Sequence, residues 1–486
     1  MNFAPSSSDR VLHDTWIFVH GDDIHLFYLA MQVGNNMHRL IGHAVSRDWL
    51  HWTEWPGIDL AGPPGSWDAG RVGTGHTFLG PDGRFYLAYT GRIDPKEDIG
   101  LAISEDWRDW RKVSGSPVWP QAVTTPYETD SAARGVAPAW RDPYVFDLPG
   151  EGRFALLCAK RDTGPLAARA CVAVARIDDL QQWTTREPLR TPPVFPTMEV
   201  PEIFPLDGRW WLTFNAHGGW GKRLDTTSRA NASGTFHLVA DEPFGDWRLP
   251  EESLLIGSGE GRHDAVVARS VLWHGERLLY HHYTGSGETG SARALGLPKV
   301  VETAGDRLIL RPWRGLDALQ RPASLSPWQA PATGPFSSGS WKTEQDTVAG
   351  FCSQGAAAIF ASTSADDLDL SGELRLDGAE RAGVAVGSAL ILLDAKRSQI
   401  SLSELRAGTF GPQLDPVLDL VRRPVGSHHL RLLKRDRYLE VFLDRELVFS
   451  SIWKETGSKG RIAFVVEGGG ASFRPTACHG LEPMAR

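Results

Sequence analysis

Asp14, Asp142 and Glu199 each stand eight residues ahead of the centre of a turn-like cluster, at Asp22, Gly150 and Asp207. Carboxylates at equivalent positions of a repeat converge when the repeat closes around an axis, and their mutual repulsion raises at least one pKa. One protonated and one ionised carboxyl is what cleavage of a glycosidic bond requires. The first gives a proton to the leaving oxygen, and the second attacks the anomeric carbon or activates water. Taken singly, Asp14 reads as a turn acid and Asp142 as a bridge to Arg141; the shared register marks them as a set. Glu199 and Glu202 also precede an apolar run, Ile203, Phe204, Trp210, Trp211, Leu212 and Phe214, beside which an ionised carboxylate is costly unless paired or put to use. Glu202 points to the opposite strand face from Glu199 and reads as a structural acid.

The same count in the other two units lands on Thr74 in "VGTGHTF", while Asp264 sits eleven residues back in "GRHDAVVA". A sugar-binding wall needs aromatic faces and groups that pair with hydroxyls. Trp16, Trp67, His76, Arg141, His217 and His263 are the candidates, with Asp264 beside them. Asp22, Asp23, Asp82 and Asp207 are turn formers. The histidine pairs at 281–282 and 428–429 point to opposite faces of strands, so no catalytic metal is expected, and no cofactor.

The elements that must position these residues are strands. Five turn clusters centred on residues 22, 82, 150, 207 and 275 recur at intervals of 60, 68, 57 and 68 residues. Each precedes an apolar or aromatic run, "HLFYLAM", "FYLAYTG", "FALLCAK", "WWLTFN" and "LLYHHYTG". Asp-x-x-x-Trp recurs as "DWLHW" (48–52), "DWRDW" (106–110) and "DLQQW" (179–183), with a shorter "GDW" at 245–247. One aromatic at the same place in each unit suits radially stacked antiparallel sheets, so the expected fold is all-β, a five-bladed propeller, with a long irregular β-sandwich as the alternative. The Pro- and Ser-rich stretch at 313–340 reads as a linker between a propeller at 1–312 and a second domain at 341–486, whose short alternating strands predict a β-sandwich.

A chain of 486 residues is too long for one ordinary core, which agrees with two domains. The net charge of -8, with acids and bases mixed throughout, gives no basic stripe for nucleic acid. The four cysteines lack CxxC spacing and read as free thiols. "MNFAPSSSDR" lacks a basic and then apolar leader, and no segment is long and apolar enough to span a membrane, so the expectation is a cytoplasmic protein, with secretion open if a leader has been trimmed.

With these residues in view the chain resembles glycoside hydrolase family 32, the fructan and sucrose hydrolases. "HLFYLAMQ" followed by "IGHAVSRDWLHWTEWP" is similar to the family's first-blade run, "WRDPYVF" to its Arg-Asp-Pro motif, and "MEVPEIFPL" to its Glu-Cys-Pro-Asp segment with Val and Glu substituted. "LGLPKVVETAGDRLILRP" resembles the segment that closes the propeller, and "LRLLKRDRYLEVFLDRELVFSS" the appended sandwich. The resemblance implies a retaining enzyme with Asp14 as nucleophile, Glu199 as general acid/base and Asp142, beside Arg141, as transition-state stabiliser. Nucleophile and acid would then stand about 5–5.5 Å apart.

The first-blade Asn-Asp-Pro-Asn-Gly of the family is "HDTWI" here, so His13 replaces an asparagine that helps bind the fructosyl unit, and Phe-Ser-Gly-Ser becomes "VGTGHTF" around Thr74. The expected activity is exo-hydrolysis of furanosides, most simply by a β-D-fructofuranosidase on sucrose or fructo-oligosaccharides. Alternatives are a β-D-arabinofuranosidase, a fructosyl transferase, or a non-catalytic carbohydrate-binding protein. The expected partner is a small sugar, the chain being a monomer or homodimer.

Overall fold

The structure, a computed structural model, describes residues 3–483 except 8, 34–38, 122–125, 129–138, 218–231, 259–263, 285–292, 335, 407–408, 414–417, 420–425 and 454–459. Five four-stranded antiparallel sheets come first in the chain, each built from consecutive strands. Blade I holds β1 (Arg10–His20), β2 (Asp23–Gln32), β3 (Leu40–Ser46) and β4 (Thr53–Asp59), and blade II holds β5 (Arg71–Leu79), β6 (Phe85–Ile93), β7 (Lys96–Ser104) and β8 (Arg111–Lys112). Blade III holds β9 (Trp140–Leu148), β10 (Gly152–Lys160), β11 (Ala170–Asp179) and β12 (Gln182–Arg186). Blade IV holds β13 (Glu199–Leu206), β14 (Arg209–Ala216), β15 (Ser233–Ala240) and β16 (Leu254–Ser258), and blade V holds β17 (Ala265–Trp273), β18 (Glu276–Tyr283), β19 (Lys299–Ala304) and β20 (Arg307–Pro312).

The five turn clusters read from the sequence join the first and second strands of the five blades. The recurring Asp-x-x-x-Trp marks the turn out of the third strand. Asp48 Oδ1 accepts from the amides of Leu50 and His51, Asp106 Oδ1 from those of Arg108 and Asp109, and Trp52, Trp110 and Trp183 each donate from the indole to the carbonyl three residues back. Such turns satisfy backbone groups that a buried end would otherwise leave unpaired.

Apolar side chains fill the spaces between neighbouring blades. Trp16, Phe27, Leu87 and Tyr89 pack blade I on II, Trp140, Leu157 and Ala173 pack III on II, and Leu212, Phe236 and Leu156 pack IV on III. Among the described residues no strand is shared between first and last blade, and side-chain and backbone contacts join them. The Ile17 amide of blade I donates to Tyr280 Oη of blade V at 2.8 Å, and the Leu295 amide donates to the Phe3 carbonyl.

After Pro312 a short 3₁₀ helix, Arg314–Leu319, buries Leu316 and Leu319 against blades I and V, and Gln320–Pro322 pairs with the strand Arg461–Leu481 of the following sandwich. That 21-residue strand runs through the sandwich. Its first part pairs with Arg381–Val386 and its second with Leu368–Asp377, and between them the chain turns at Gly468 and Gly469, both at positive φ, where a side chain would be strained. Leu374, Val384, Ile391, Leu430, Val441 and Phe464 form the sandwich core. Among the described residues no helix is long and apolar enough to cross a membrane.

Candidate active site

Every blade carries the same irregularity in its first strand. Pairing with the second strand slips by one residue between His13 and Thr15, Val72 and Gly75, Arg141 and Tyr144, Glu199 and Glu202, and Val266 and Arg269. These are β-bulges, each with one extra residue that bends the strand and re-aims its side chains. Asp14, Asp142, Val200 and Val267 sit in them at φ of 24°, 64°, 49° and 52°, a region where β-branched residues in particular are strained. The count of eight residues back from each turn therefore leads to the bulge. In blade V it leads to Val267, not to Asp264.

Hydrogen bonds from the bulges to the neighbouring blades tie the blades together around the axis. Thr74 of blade II donates its hydroxyl to Asp14 Oδ2 of blade I at 2.6 Å. The Asp142 amide of blade III donates to Thr90 Oγ1 of blade II at 3.0 Å, and the Val200 amide of blade IV donates to Asp142 Oδ2 at 3.1 Å. The Val267 amide of blade V donates to Asn215 Oδ1 of blade IV at 3.3 Å.

The three carboxylates have different surroundings. Asp14 and Glu199 keep 17% and 18% of their side-chain surface exposed, against 5% for Asp142. For Asp14, burial alone would raise the pKa, but the charge and proximity of His13, whose Nδ1 is 3.0 Å from Oδ1, together with the Thr74 hydroxyl hold it far below the usual carboxylate range. Asp142 goes the other way. Burial, assisted by the charges of Glu199 and Asp14 and opposed by Arg141, pushes it up to about 7. Asp142 thus feels both of the other acids, which brings the three together in one site.

Arg141 links the site to blade II. Its Nη2 donates to Glu199 Oε1 at 2.6 Å and its Nη1 to Glu97 Oε2 at 3.3 Å, while Nε lies 3.8 Å from Asp142 Oδ2. Glu97 also accepts from the Trp140 amide at 3.0 Å, so it fixes the strand as well as the side chain. The guanidinium pKa is driven well above its ordinary value by Glu97, Cys158 and Glu199, against the cost of burial. His217, partly buried at the end of β14, feels the charge of Glu199, although burial lowers its pKa on balance.

Several expected sugar contacts are otherwise occupied. Trp16 is fully buried, stacked 5.7 Å from Phe27 with its indole donating to Thr77 Oγ1, so it is a blade I–II core residue and not a wall of the site. Thr74 gives its hydroxyl to Asp14. His76 Nδ1 accepts from the Val145 amide at 3.2 Å, which clips blade II to III. Trp67 remains partly exposed, stacks on Tyr89 and donates to the Gly115 carbonyl. Asp264 Oδ2 accepts from the Ile452 amide of the sandwich at 3.2 Å, so this acid belongs to the domain junction. His263 lies outside the described residues.

Glu202 is 2% exposed and accepts from both the amide and the hydroxyl of Ser270, which joins blade IV to V. Beneath the carboxylates Arg269 of blade V crosses the axis and donates to the Gly75 carbonyl of blade II at 2.9 Å.

Glu97, Thr90, Asn215, Arg269 and His282 are not visible as site residues in the sequence. Glu97 sits in a charged hairpin that reads as surface. The pair at 281–282 was separable by face, and β18 does put His281 beside Lys299 and Glu440 of the sandwich and His282 beside His13, with ring centroids 5.3 Å apart. What alternation could not tell is that one of those faces is the axis. Burial first, then the charge of His13, pushes the His282 pKa well below its ordinary value.

This arrangement can be set beside known proteins. The family model "Glycosyl hydrolases family 32 N-terminal domain" matches residues 15–241. A fructan 6-exohydrolase of Triticum aestivum is 27% identical over 175 residues, which is 34% of this chain and 27% of that protein. The vacuolar acid beta-fructofuranosidase 4 of Arabidopsis thaliana is 39% identical over 84 residues, 16% of this chain and 12% of that protein. The matched stretches thus span about a quarter or less of these curated relatives' own lengths. Among solved structures, the family 32 β-fructofuranosidase of Bombyx mori superposes with a TM-score of 0.67 at 18% identity, covering 99% of this chain and 93% of that one. The fructan 1-exohydrolase IIa of Cichorium intybus gives 0.67 at 14% identity, covering 100% and 98%. Residues 15–241 thus match the N-terminal domain of glycoside hydrolase family 32, and the propeller-and-sandwich architecture is the one seen in that family's solved structures.

Proposed function

We propose that the protein is a retaining, exo-acting β-D-fructofuranosidase on sucrose or short fructo-oligosaccharides. The observation that carries this reading is the convergence of Asp14, Asp142 and Glu199 in one site around Arg141. Asp14 is held ionised by His13 and Thr74, as a nucleophile must be, while Asp142 is raised to about 7 beside it. Glu199, bridged by Arg141, stands in the same site as the group left to serve as acid and base. The names of the relatives point to the same sugar, and a β-fructofuranosidase from Bombyx mori has been solved with sucrose.

Asp14 Oδ1 attacks the anomeric carbon of the fructosyl unit while Glu199 protonates the departing glycosidic oxygen, giving a covalent fructosyl ester and free alcohol. Glu199, now a base, takes a proton from water, whose oxygen displaces Asp14 and releases fructose. Thr74, bonded to the other oxygen of Asp14, fixes the attacking one. Arg141 and Asp142 bind sugar hydroxyls, Arg141 exchanging its bond to Glu199 for one to the substrate. His13, beside Asp14, and His217, which feels the charge of Glu199, supply further groups for sugar hydroxyls, and these steps call for no metal or cofactor.

The test is chromatographic release of fructose from sucrose and 1-kestose. Asp14→Asn should lose turnover by on the order of 10⁴-fold or more while still binding sugar, as expected when a group acting in the transition state is removed. Unchanged turnover would remove Asp14 from this role. Two imidazoles, His13 and His282, beside the nucleophile favour a second reading, a β-D-arabinofuranosidase, because that sugar lacks the hydroxymethyl group that fructose carries on its anomeric carbon. Arabinose released from a nitrophenyl β-D-arabinofuranoside, with no fructose from sucrose, would select it. Fructosyl transfer in place of hydrolysis would appear as longer oligosaccharides at high sucrose.

A further inference from the structure

We propose that His13, Asp14 and His282 form a binding site for an exchangeable first-row divalent cation of the zinc type, seated on the carboxylate assigned above as nucleophile. The ligands come from β1 and β18, which closure of the propeller makes neighbours. One ligand atom from each residue lies within 4.8 Å of the other two. Modest rotation of the imidazoles would bring these atoms to the roughly 2.0–2.2 Å bonds of a His₂-carboxylate centre.

His282 is the second observation that points to a ligand. Its side chain is fully buried, and neither ring nitrogen has a hydrogen-bond partner among the described residues. A buried polar group without a partner is costly, and one aimed at a carboxylate and a second imidazole invites an ion. Asp14 is already oriented for it. Thr74 occupies Oδ2, the bulge fixes the backbone, and Oδ1 faces His13 Nδ1 at 3.0 Å. His13 keeps 29% of its side chain exposed, so an ion can enter and retain a water in the open position.

The ligand set selects the metal. Imidazole with carboxylate suits zinc, cobalt, nickel and copper, whereas magnesium and calcium prefer shells of oxygen. Arg293 also interacts electrostatically with Asp14, and its positive charge opposes an incoming cation. This weakens binding and makes the ion exchangeable. A cation on Oδ1 holds the electron pair that attack requires, so metal and substrate exclude one another; this consequence rests on the nucleophilic role of Asp14.

The experiment is calorimetric titration of the chelator-treated full chain with zinc chloride, alongside cobalt chloride followed by visible absorption. One saturable zinc site per chain is expected, with no comparable binding of magnesium or calcium. His282→Ala and, separately, His13→Asn should each weaken zinc binding about tenfold or more. The second variant alters a partly exposed side chain and guards against misfolding of the first, which circular dichroism would reveal. Zinc should raise KM for sucrose with kcat unchanged.

Absence of a saturable site, equal zinc affinity in both variants, or equally tight magnesium would overturn the proposal. Zinc bound at this site in a protein that releases no sugar would leave the site standing and remove the glycosidase reading. Sugar release without zinc binding would do the reverse.

Discussion

At the scale of single residues, the site works by giving chemically similar carboxyls opposite environments. Asp14 receives a hydroxyl and an imidazole, whereas Asp142 is closed off beside two other acids. The sign of the Asp142 shift fixes a pH dependence. Its folded pKa of about 7 lies above the ordinary value of 3.8, so the native state holds one proton more than the unfolded chain between those values. Stability from this group is present below about pH 4 and is lost as pH rises to about 7, by about 1.4 kcal/mol per unit. Asp142→Asn keeps an oxygen for the Val200 amide and removes the titration. Urea denaturation from pH 4 to 7 should therefore show the variant gaining on the parent protein as pH rises; parallel curves would refute the shift. Thr74→Val removes the hydroxyl donated to Asp14. It should lower kcat about tenfold, the effect of one lost hydrogen bond to a charged group, with little change in thermal midpoint. That Asp14, Asp142 and Glu199 fall at one end of the blades was legible in the sequence because they share a register, with Arg141 next to one of them. Trp16 and Asp264 were misjudged, because residue type says nothing about whether an indole or carboxylate faces the axis or the neighbouring sheet.

At the scale of elements, the bulged first strand is the device that the blades share. A regular strand would send alternate side chains into the inter-blade core. One extra residue breaks that alternation where acids must emerge, and the freed amides of Asp142, Val200 and Val267 are taken up by the preceding blade. The strain of Val200 and Val267 at positive φ is offset by these bonds. Glu202 shows what holds such a joint. Glu202→Ala leaves Arg269 without its counter-ion and two groups of Ser270 without their acceptor in a dry interface and should cost about 3–5 kcal/mol, while Glu202→Gln should cost about half as much. Thermal unfolding of the pair decides it. The repeat, its turns and its Trp markers could be read because they recur in composition. The bulges could not, since a single inserted residue leaves no compositional trace, yet the count of eight led to them.

At the scale of the whole molecule, propeller and sandwich meet through buried charge. Lys299 of blade V bonds to Glu440 of the sandwich, Tyr283 Oη donates to the same carboxylate at 3.1 Å, and His281 stands beside them. Removing one ion of a buried pair is more damaging than removing both. Lys299→Met should lower stability by about 3–5 kcal/mol, and adding Glu440→Gln should recover part of the loss, measured by denaturant titration. Two β domains were legible from strand spacing, but this junction was not, because Lys299 and Glu440 lie 141 residues apart in sequence.

The long strand Arg461–Leu481 gives the molecule an order of assembly on the ribosome. Each blade consists of consecutive strands and can form as it emerges. The sandwich strands at Gln320–Pro322, Thr347–Ser362, Leu368–Asp377 and Arg381–Val386 all pair with that late strand, so they wait for it through most of the domain's synthesis. Until Glu440 emerges, nascent chains also carry a propeller whose Lys299 waits for that partner, and chaperone capture should concentrate there.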